Sequence, residues 1–163
     1  MTIILMGVSG CGKTKIGEML SAQLHLPFFD GDSFHSAPNI DKMRSGIPLN
    51  DEDRKPWLNT LRAHIAGQEK KGGSILACSA LKKAYRVILD NQENHNVIFV
   101  HLKGTRELIA RRLANRDNHY MPAELLNSQF AALEEPKGGI TISIDQPPEV
   151  VVKDILGKIN RQK

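Results

Sequence analysis

Aromatic side chains are scarce in this chain, at 5% of 163 residues, and there are only two cysteines. Cys11 and Cys78 lie far apart in sequence without metal-ligand spacing, which argues against a disulfide scaffold and against a zinc site. The basic residues are scattered, with pairs only at Lys70/Lys71, Lys82/Lys83 and Arg111/Arg112. A nucleic-acid groove wants a basic stripe interleaved with stacking aromatics, so no nucleic-acid partner is expected. No apolar run approaches the roughly 20 residues of a membrane span, and Met1 leads straight into a strand-like segment. Neither a membrane anchor nor a signal peptide is therefore expected, and a cytoplasmic location is. Repeats, low-complexity tracts and linkers are also lacking, so one domain over 1–163 is expected. The net charge of +4 suits an anionic ligand.

What the chain does have is "GVSGCGKT", Gly7 to Thr14, directly after the apolar run "TIILM". It matches the G-x-x-x-x-G-K-[ST] pattern at every fixed position. A polyphosphate can be met by converging backbone N–H groups only where side chains stay out of the way and some residues take positive φ, as glycine does. A helix through "KTKIGEMLSAQL" would add its unpaired first-turn N–H groups and the positive end of its dipole. In that arrangement Gly7, Val8, Ser9, Gly10, Cys11, Gly12, Lys13 and Thr14 surround the phosphates of a nucleotide. Lys13 reaches the outer phosphates, and the Thr14 hydroxyl ligates Mg2+. Cys11 reads as a small loop residue rather than a redox sensor.

Short apolar runs alternate with longer amphipathic stretches, the sign of repeated βα units and a parallel sheet. Strands are expected at 2–6, 27–30, 74–78, 97–102 and 140–144, and helices at about 12–24, 51–70, 81–90, 105–116, 122–134 and 148–160. Trp57, Leu58, Leu61 and Ile65 fall on one face of the second helix and read as core. Asn50/Asp51 should cap that helix and Pro56 should kink or restart it. In such a sheet the ligand site lies at the carboxyl ends of the strands, so functional residues should follow the apolar runs.

After the second run comes "FFDGDSFH". Asp30 and Asp32 would project into the crevice of the phosphate loop, one to accept or orient a hydroxyl proton and one to hold waters around Mg2+. Asp-Gly-Asp is also good turn chemistry, and His35 reads equally as a substrate contact or a helix-cap residue. The third run leads into "CSALKKAYR", where Ser79, Lys82, Lys83 and Arg86 share one helical face suited to an anionic substrate. That strand end lacks the aspartate of switch GTPases, and no Asn-Lys-x-Asp guanine motif occurs. In "LIARRLANRDNHYMP", Arg112 and Arg116 stand at i, i+4 before a short lid-sized loop at about 116–122, where they would stabilise charge on a transferred phosphoryl group.

The runs "LMGVSGCGKT", "FFDGDSFHSAPNIDKMRSGIPLNDEDRKPWL", "CSALKKAYR" and "DQPPEVVV" resemble, in collinear order over nearly the whole chain, the small P-loop gluconokinases of bacteria. These are close in fold to shikimate kinase and the nucleoside monophosphate kinases. The resemblance implies a three-layer α/β/α fold with a five-stranded parallel sheet in the order 2-3-1-4-5, a short lid, and a homodimer. It implies phosphorylation of D-gluconate on its 6-hydroxyl by ATP with Mg2+, giving 6-phosphogluconate. By that resemblance Lys13, Asp32 and Arg116 are catalytic, and Arg112 together with Asp145, Gln146 and Pro147 lies at the nucleotide. Thr14, and Asp30 through water, serve the metal. Asp32, His35, Arg54, Lys82 and Arg86 face the sugar acid, with Arg54, Arg86 and Lys82 each able to pair with its carboxylate. Two rivals remain: a kinase of the same fold acting on shikimate or a nucleoside monophosphate, and a nucleotide-binding module without phosphotransfer.

Overall fold

The computed structural model of the protein describes residues 1–90, 96–115 and 123–162. The expected lid at about 116–122, with Arg116, lies outside the described residues.

Five strands form one parallel sheet: β1 (Thr2–Met6), β2 (Phe28–Asp30), β3 (Ser74–Ala77), β4 (Val97–Lys103) and β5 (Ile140–Ser143), in the order β2-β3-β1-β4-β5. This is the order that the resemblance implies. β1 is central, with Ile4 opposite Leu76 on one side and Phe99 on the other. Because side chains alternate across a strand, its apolar run feeds two cores. Ile3 and Leu5 pack with Ile16 and Leu20 of helix α1 (Lys13–Leu24) and with Val152, Ile155 and Ile159 of helix α7 (Pro148–Arg161). Ile4 and Met6 pack with Trp57, Leu58, Leu61 and Ile65 of helix α3 (Asp51–Glu69) and with Tyr85 and Leu89 of helix α4 (Lys83–Leu89). A run that is apolar at every position is what a strand buried on both faces requires.

Helices α5 (Arg106–Ala114) and α6 (Ala123–Ala132) add Ile109 and Leu126 to the first core. Helix α2 (Ala37–Arg44), capped by Ser36, and the 3-10 turn Gly31–Phe34 before it were not expected from the sequence. α2 is pinned to the start of α3: Asn39 Nδ2 donates to the Asp53 carbonyl at 2.8 Å, and Lys42 Nζ reaches both Asp53 carboxylate oxygens at 2.9–3.0 Å.

Two expectations need correction. α3 does not restart at Pro56 but runs through it as a single helix. Its start is fixed by a reciprocal capping box, Asp53 N–H to Asn50 Oδ1 and Asn50 N–H to Asp53 Oδ2, and its inner face by the buried Trp57, Leu58, Leu61 and Ile65. The shared helical face of Ser79, Lys82, Lys83 and Arg86 does not form. Helix α4 starts only at Lys83, and the chain before it is a loop with Ala80 at φ 44° and Lys82 extended.

Between Asp30 and Asp32 the backbone passes so close to β3 that a Cβ on Gly31 would stand 2.6 Å from the Ala77 carbonyl oxygen. The Trp57 indole N–H donates to the Gly31 carbonyl at 2.8 Å and holds the turn from the other side. Gly31→Ala should therefore destabilise the fold by about 1–3 kcal/mol through overpacking. Urea unfolding of both proteins measures this, and an unchanged midpoint would show that the turn can move aside.

Candidate active site

At the carboxyl end of β1 the strand order reverses, and a crevice of about 940 Å³ opens there. Ser9, Gly10, Gly12, Lys13 and Thr14 form one wall. Gly12 stands at the N-terminus of α1 with φ 95°, a conformation that an L side chain rarely adopts, and no side chain caps this helix. Its first-turn N–H groups therefore face the crevice mouth, as an anion site requires. Val8 and Cys11 turn inward, 3% and 1% exposed, and anchor the loop in the first core. Gly7 N–H donates to the Ser79 carbonyl at 3.2 Å, tying the loop to the end of β3. Lys13 Nζ donates to the Gly7 and Val8 carbonyls at 2.9 and 3.0 Å, so its ammonium lies along the loop.

Asp30 and Asp32 face Lys13 across this wall. Asp30 Oδ1 accepts from the Asp32 backbone N–H at 3.0 Å, which caps the 3-10 turn and orients the Asp30 carboxylate. Crevice walls that displace water, followed by the nearby Asp30 carboxylate, push the Asp32 pKa upward, and Lys13 opposes them. The Asp32 side chain is still 75% accessible, so water reaches and screens it. His35 settles as a buried aromatic wall. Its ring stacks on Trp57 at 4.1 Å between centroids, its side chain is 4% exposed, and burial with help from Arg54 lowers its pKa to about 4. At neutral pH it is uncharged, and its 4.0 Å approach to Asp32 is then no ion pair.

The opposite wall is a charged cluster that the sequence only partly announces. Arg54 Nη1 donates to the Leu49 carbonyl at 2.6 Å and to the Tyr85 hydroxyl at 3.2 Å, with the guanidinium 5.4 Å from the Tyr85 ring centre. The Tyr85 hydroxyl in turn donates to Asp51, which Lys82 Nζ also contacts at 3.0 Å. These bonds, Tyr85 first and then Lys82, hold the Asp51 carboxyl below its ordinary range, and Lys82 is raised by the same pairing. Asp51, Tyr85 and the crevice-lining Arg44 were not singled out from sequence. Asp51 read as a helix cap and Tyr85 as helix interior.

Other expected residues lie elsewhere. Arg86 does not line the crevice. Its Nη1 donates to the Ala80 and Leu81 carbonyls at 2.8 and 3.1 Å and its Nη2 to the Glu134 carbonyl at 2.9 Å. The guanidinium is thus a brace for the β3–α4 loop, and the structure removes it from the substrate carboxylate. Arg112 Nη2 donates to the Ile144 carbonyl, next in sequence to Asp145, Gln146 and Pro147 after the end of β5, and none of these four residues lines the crevice. Gln146 Nε2 donates to the Ser143 carbonyl at 2.9 Å within that loop.

The donor set fits Mg2+. That ion keeps several waters and takes one or two protein oxygens beside substrate phosphates, and the Thr14 hydroxyl and the Asp30 and Asp32 carboxylates line one crevice. Among the described residues no group of three or more His, Cys, Asp or Glu could cage a metal on its own.

The depressed pKa of His35 carries a sign. The unfolded chain binds a proton below about 6.5 that the folded chain refuses until about 4, so His35 costs stability as pH falls through that interval. His64 and His101 shift in the same direction and Asp32 in the opposite one, so a variant is needed to isolate the effect. Between pH 7.5 and 5 the stability of the native protein relative to His35→Gln should fall by about 2 kcal/mol. Urea unfolding at both pH values measures it, and a pH-independent difference would mean that His35 is free to protonate.

Similarity to known proteins identifies the family. The family model for shikimate kinase matches residues 9–137. Thermoresistant gluconokinase of Escherichia coli (strain K12) is 44% identical over 165 residues, covering 98% of this chain and 94% of that protein. A probable gluconokinase of Xenopus tropicalis is 42% identical over 181 residues, covering 99% and 95%. Among solved structures, a gluconokinase from Sinorhizobium meliloti 1021 superimposes with a TM-score of 0.92 at 37% identity, covering 99% of this chain and 92% of that one. The chain belongs to the shikimate-kinase-like family of P-loop kinases and, within it, to the gluconokinases.

Proposed function

We propose that the protein transfers the γ-phosphoryl group of ATP to the 6-hydroxyl of D-gluconate. The observation that carries this reading is the convergence of the phosphate loop with Lys13, the Asp30/Asp32 pair and the Arg54–Tyr85–Asp51–Lys82 cluster on one crevice. Loop amides and Lys13 bind the nucleotide phosphates, and Asp32 accepts and orients the proton of the attacking hydroxyl. Its raised pKa suits a group that must take a proton near neutral pH. Thr14 and, through water, Asp30 would hold Mg2+, which neutralises phosphate charge when bound.

For the substrate carboxylate the reading favours Arg54. Among the described residues both of its side-chain hydrogen bonds leave from Nη1, which leaves Nη2 to offer a charge-assisted bond across the crevice. Lys82 is engaged by Asp51 and serves as a secondary contact. Arg112, with Asp145, Gln146 and Pro147, lies at the nucleotide end. Catalysis on this arrangement is positioning and electrostatics, with no covalent step on the protein. The reading extends to a single kinase domain over 1–163 with its lid and Arg116 at about 116–122, to a homodimer and to the cytoplasm. Among the described residues no helix is long and apolar enough to cross a membrane.

In a coupled assay of ADP formation with Mg2+, D-gluconate should accelerate turnover while shikimate and AMP do not. Binding of ATP without acceptor-dependent turnover would leave only a nucleotide-binding module. Lys13→Ala should remove most turnover, and Asp32→Asn should lower kcat by roughly 10²- to 10⁴-fold. An Asp32→Asn enzyme with full kcat rules out the proton role. Arg54→Ala should raise KM for D-gluconate by roughly 10- to 100-fold, the worth of a charged hydrogen bond, and an unchanged KM would hand the carboxylate to Lys82 or Arg44.

A further inference from the structure

Helix α6 carries a side chain that no phosphate-loop motif includes. Gln129 Oε1 accepts from the Ser9 backbone N–H at 2.7 Å, and Gln129 Nε2 donates to Ser9 Oγ at 3.0 Å, across a separation of 120 residues. The two bonds use one acceptor and one donor of the amide, which fixes its orientation, because the flipped amide would face the Ser9 N–H with a second donor.

Ser9 is where the loop most needs such a hold. On either side, Val8 and Cys11 are locked into the first core, while Ser9 and Gly10 bridge them at intermediate exposure along the crevice. Gly10 has φ 82°, and the glycines around it give this span wide conformational freedom. α6 is itself a firm support. Beyond its end the Glu134 N–H donates to the Leu81 carbonyl at 2.8 Å, and the Glu134 carbonyl accepts from Arg86 Nη2 at 2.9 Å. Gln129, half-buried, lines the crevice.

We propose that Gln129 is a positioning residue for the nucleotide. By clamping Ser9 it holds the outer span of the phosphate loop in the conformation that receives the ATP phosphates, so its contribution appears in ATP affinity and not in acceptor affinity. This rests on the reading of Gly7 to Thr14 as the ATP-phosphate site. Acceptor-dependent turnover by the unmodified protein, measured in the same assay, tests that reading separately.

Gln129→Met keeps the side-chain volume and removes both bonds. Its KM for ATP should rise roughly tenfold, the worth of one to two net hydrogen bonds, while KM for D-gluconate stays within about twofold. Ser9→Ala removes only the hydroxyl bond and should raise the ATP KM less. The double variant should be no worse than Gln129→Met alone, because the hydroxyl has already lost this partner. Gln129→Asn, which keeps the amide one methylene short of Ser9, serves as a second variant should Gln129→Met fold poorly, and should show the same selective rise. Three results overturn the proposal: an unchanged ATP KM in the folded variants, equal rises in both KM values, or additive effects in the double variant. Equal rises with a lowered melting temperature would mark the clamp as a general structural tie.

Discussion

A backbone amide can serve an anion only if the chain that carries it is prevented from turning elsewhere, and that constraint governs the rest of this molecule. The loop between β1 and α1 meets it by anchoring at intervals. Val8 and Cys11 sit in the core, Gly7 N–H is tied to the Ser79 carbonyl, and Gly12 takes the positive φ that lets α1 begin with its N–H groups exposed. β1 must then be the central strand. Only a strand flanked by β3 and β4 and covered on both faces gives the loop a fixed base, and a strand in that position reads as an unbroken apolar run. The core is in this sense the mounting of the phosphate site.

The acceptor side is built differently. Its cations are held by partners that face them from other elements: Arg54 by the Leu49 carbonyl and Tyr85, Lys82 by Asp51, and Lys42 by Asp53. Each pairing lowers the freedom of a long side chain before any substrate is met, which is how a site becomes preorganised. These exposed pairs add little to stability. Their effect is to fix the start of α3, against α2 through Lys42 and against the β3–α4 loop through Lys82, so that on the proposed reading an acceptor would meet its charged partners already in place.

Much of this was legible in the sequence and some was not, for physical reasons. The five strands, the phosphate loop and the apolar stripe of α3 follow from periodicity and from glycines whose conformation has one use, whereas the order of the strands was legible only through the family resemblance. α2 escapes notice because it is only two turns long and half of its eight residues are polar, although Ser36 followed by Pro38 is a helix-start signal. The break before α4 depends on Ala80 at φ 44°, a conformation that alanine's identity does not announce. Arg86 looked like a substrate ligand because helical spacing was extended back to Ser79. Once the helix starts at Lys83, its guanidinium meets three loop carbonyls instead. Gln129 could not be found by local pattern, since its partner is 120 residues away.

The neutral His35 ties the two halves of the site together. A protonated imidazole 4.0 Å from Asp32 would be a counter-ion, would draw the carboxyl pKa down and would work against the proton-accepting role proposed for it. Burial, to which the stacked Trp57 ring contributes by excluding water, keeps the ring uncharged, and the positive charge of Arg54 reinforces this. The same Trp57 holds the Gly31 carbonyl through its indole N–H, so one side chain sets both the position of Asp32 and the charge of its neighbour. Trp57 is a core residue by burial, 3% exposed, yet its two polar and aromatic contacts are what leave Asp32 with Asp30 and Lys13 as its charged neighbours. In this crevice the distinction between packing and chemistry does not hold at the level of a single residue.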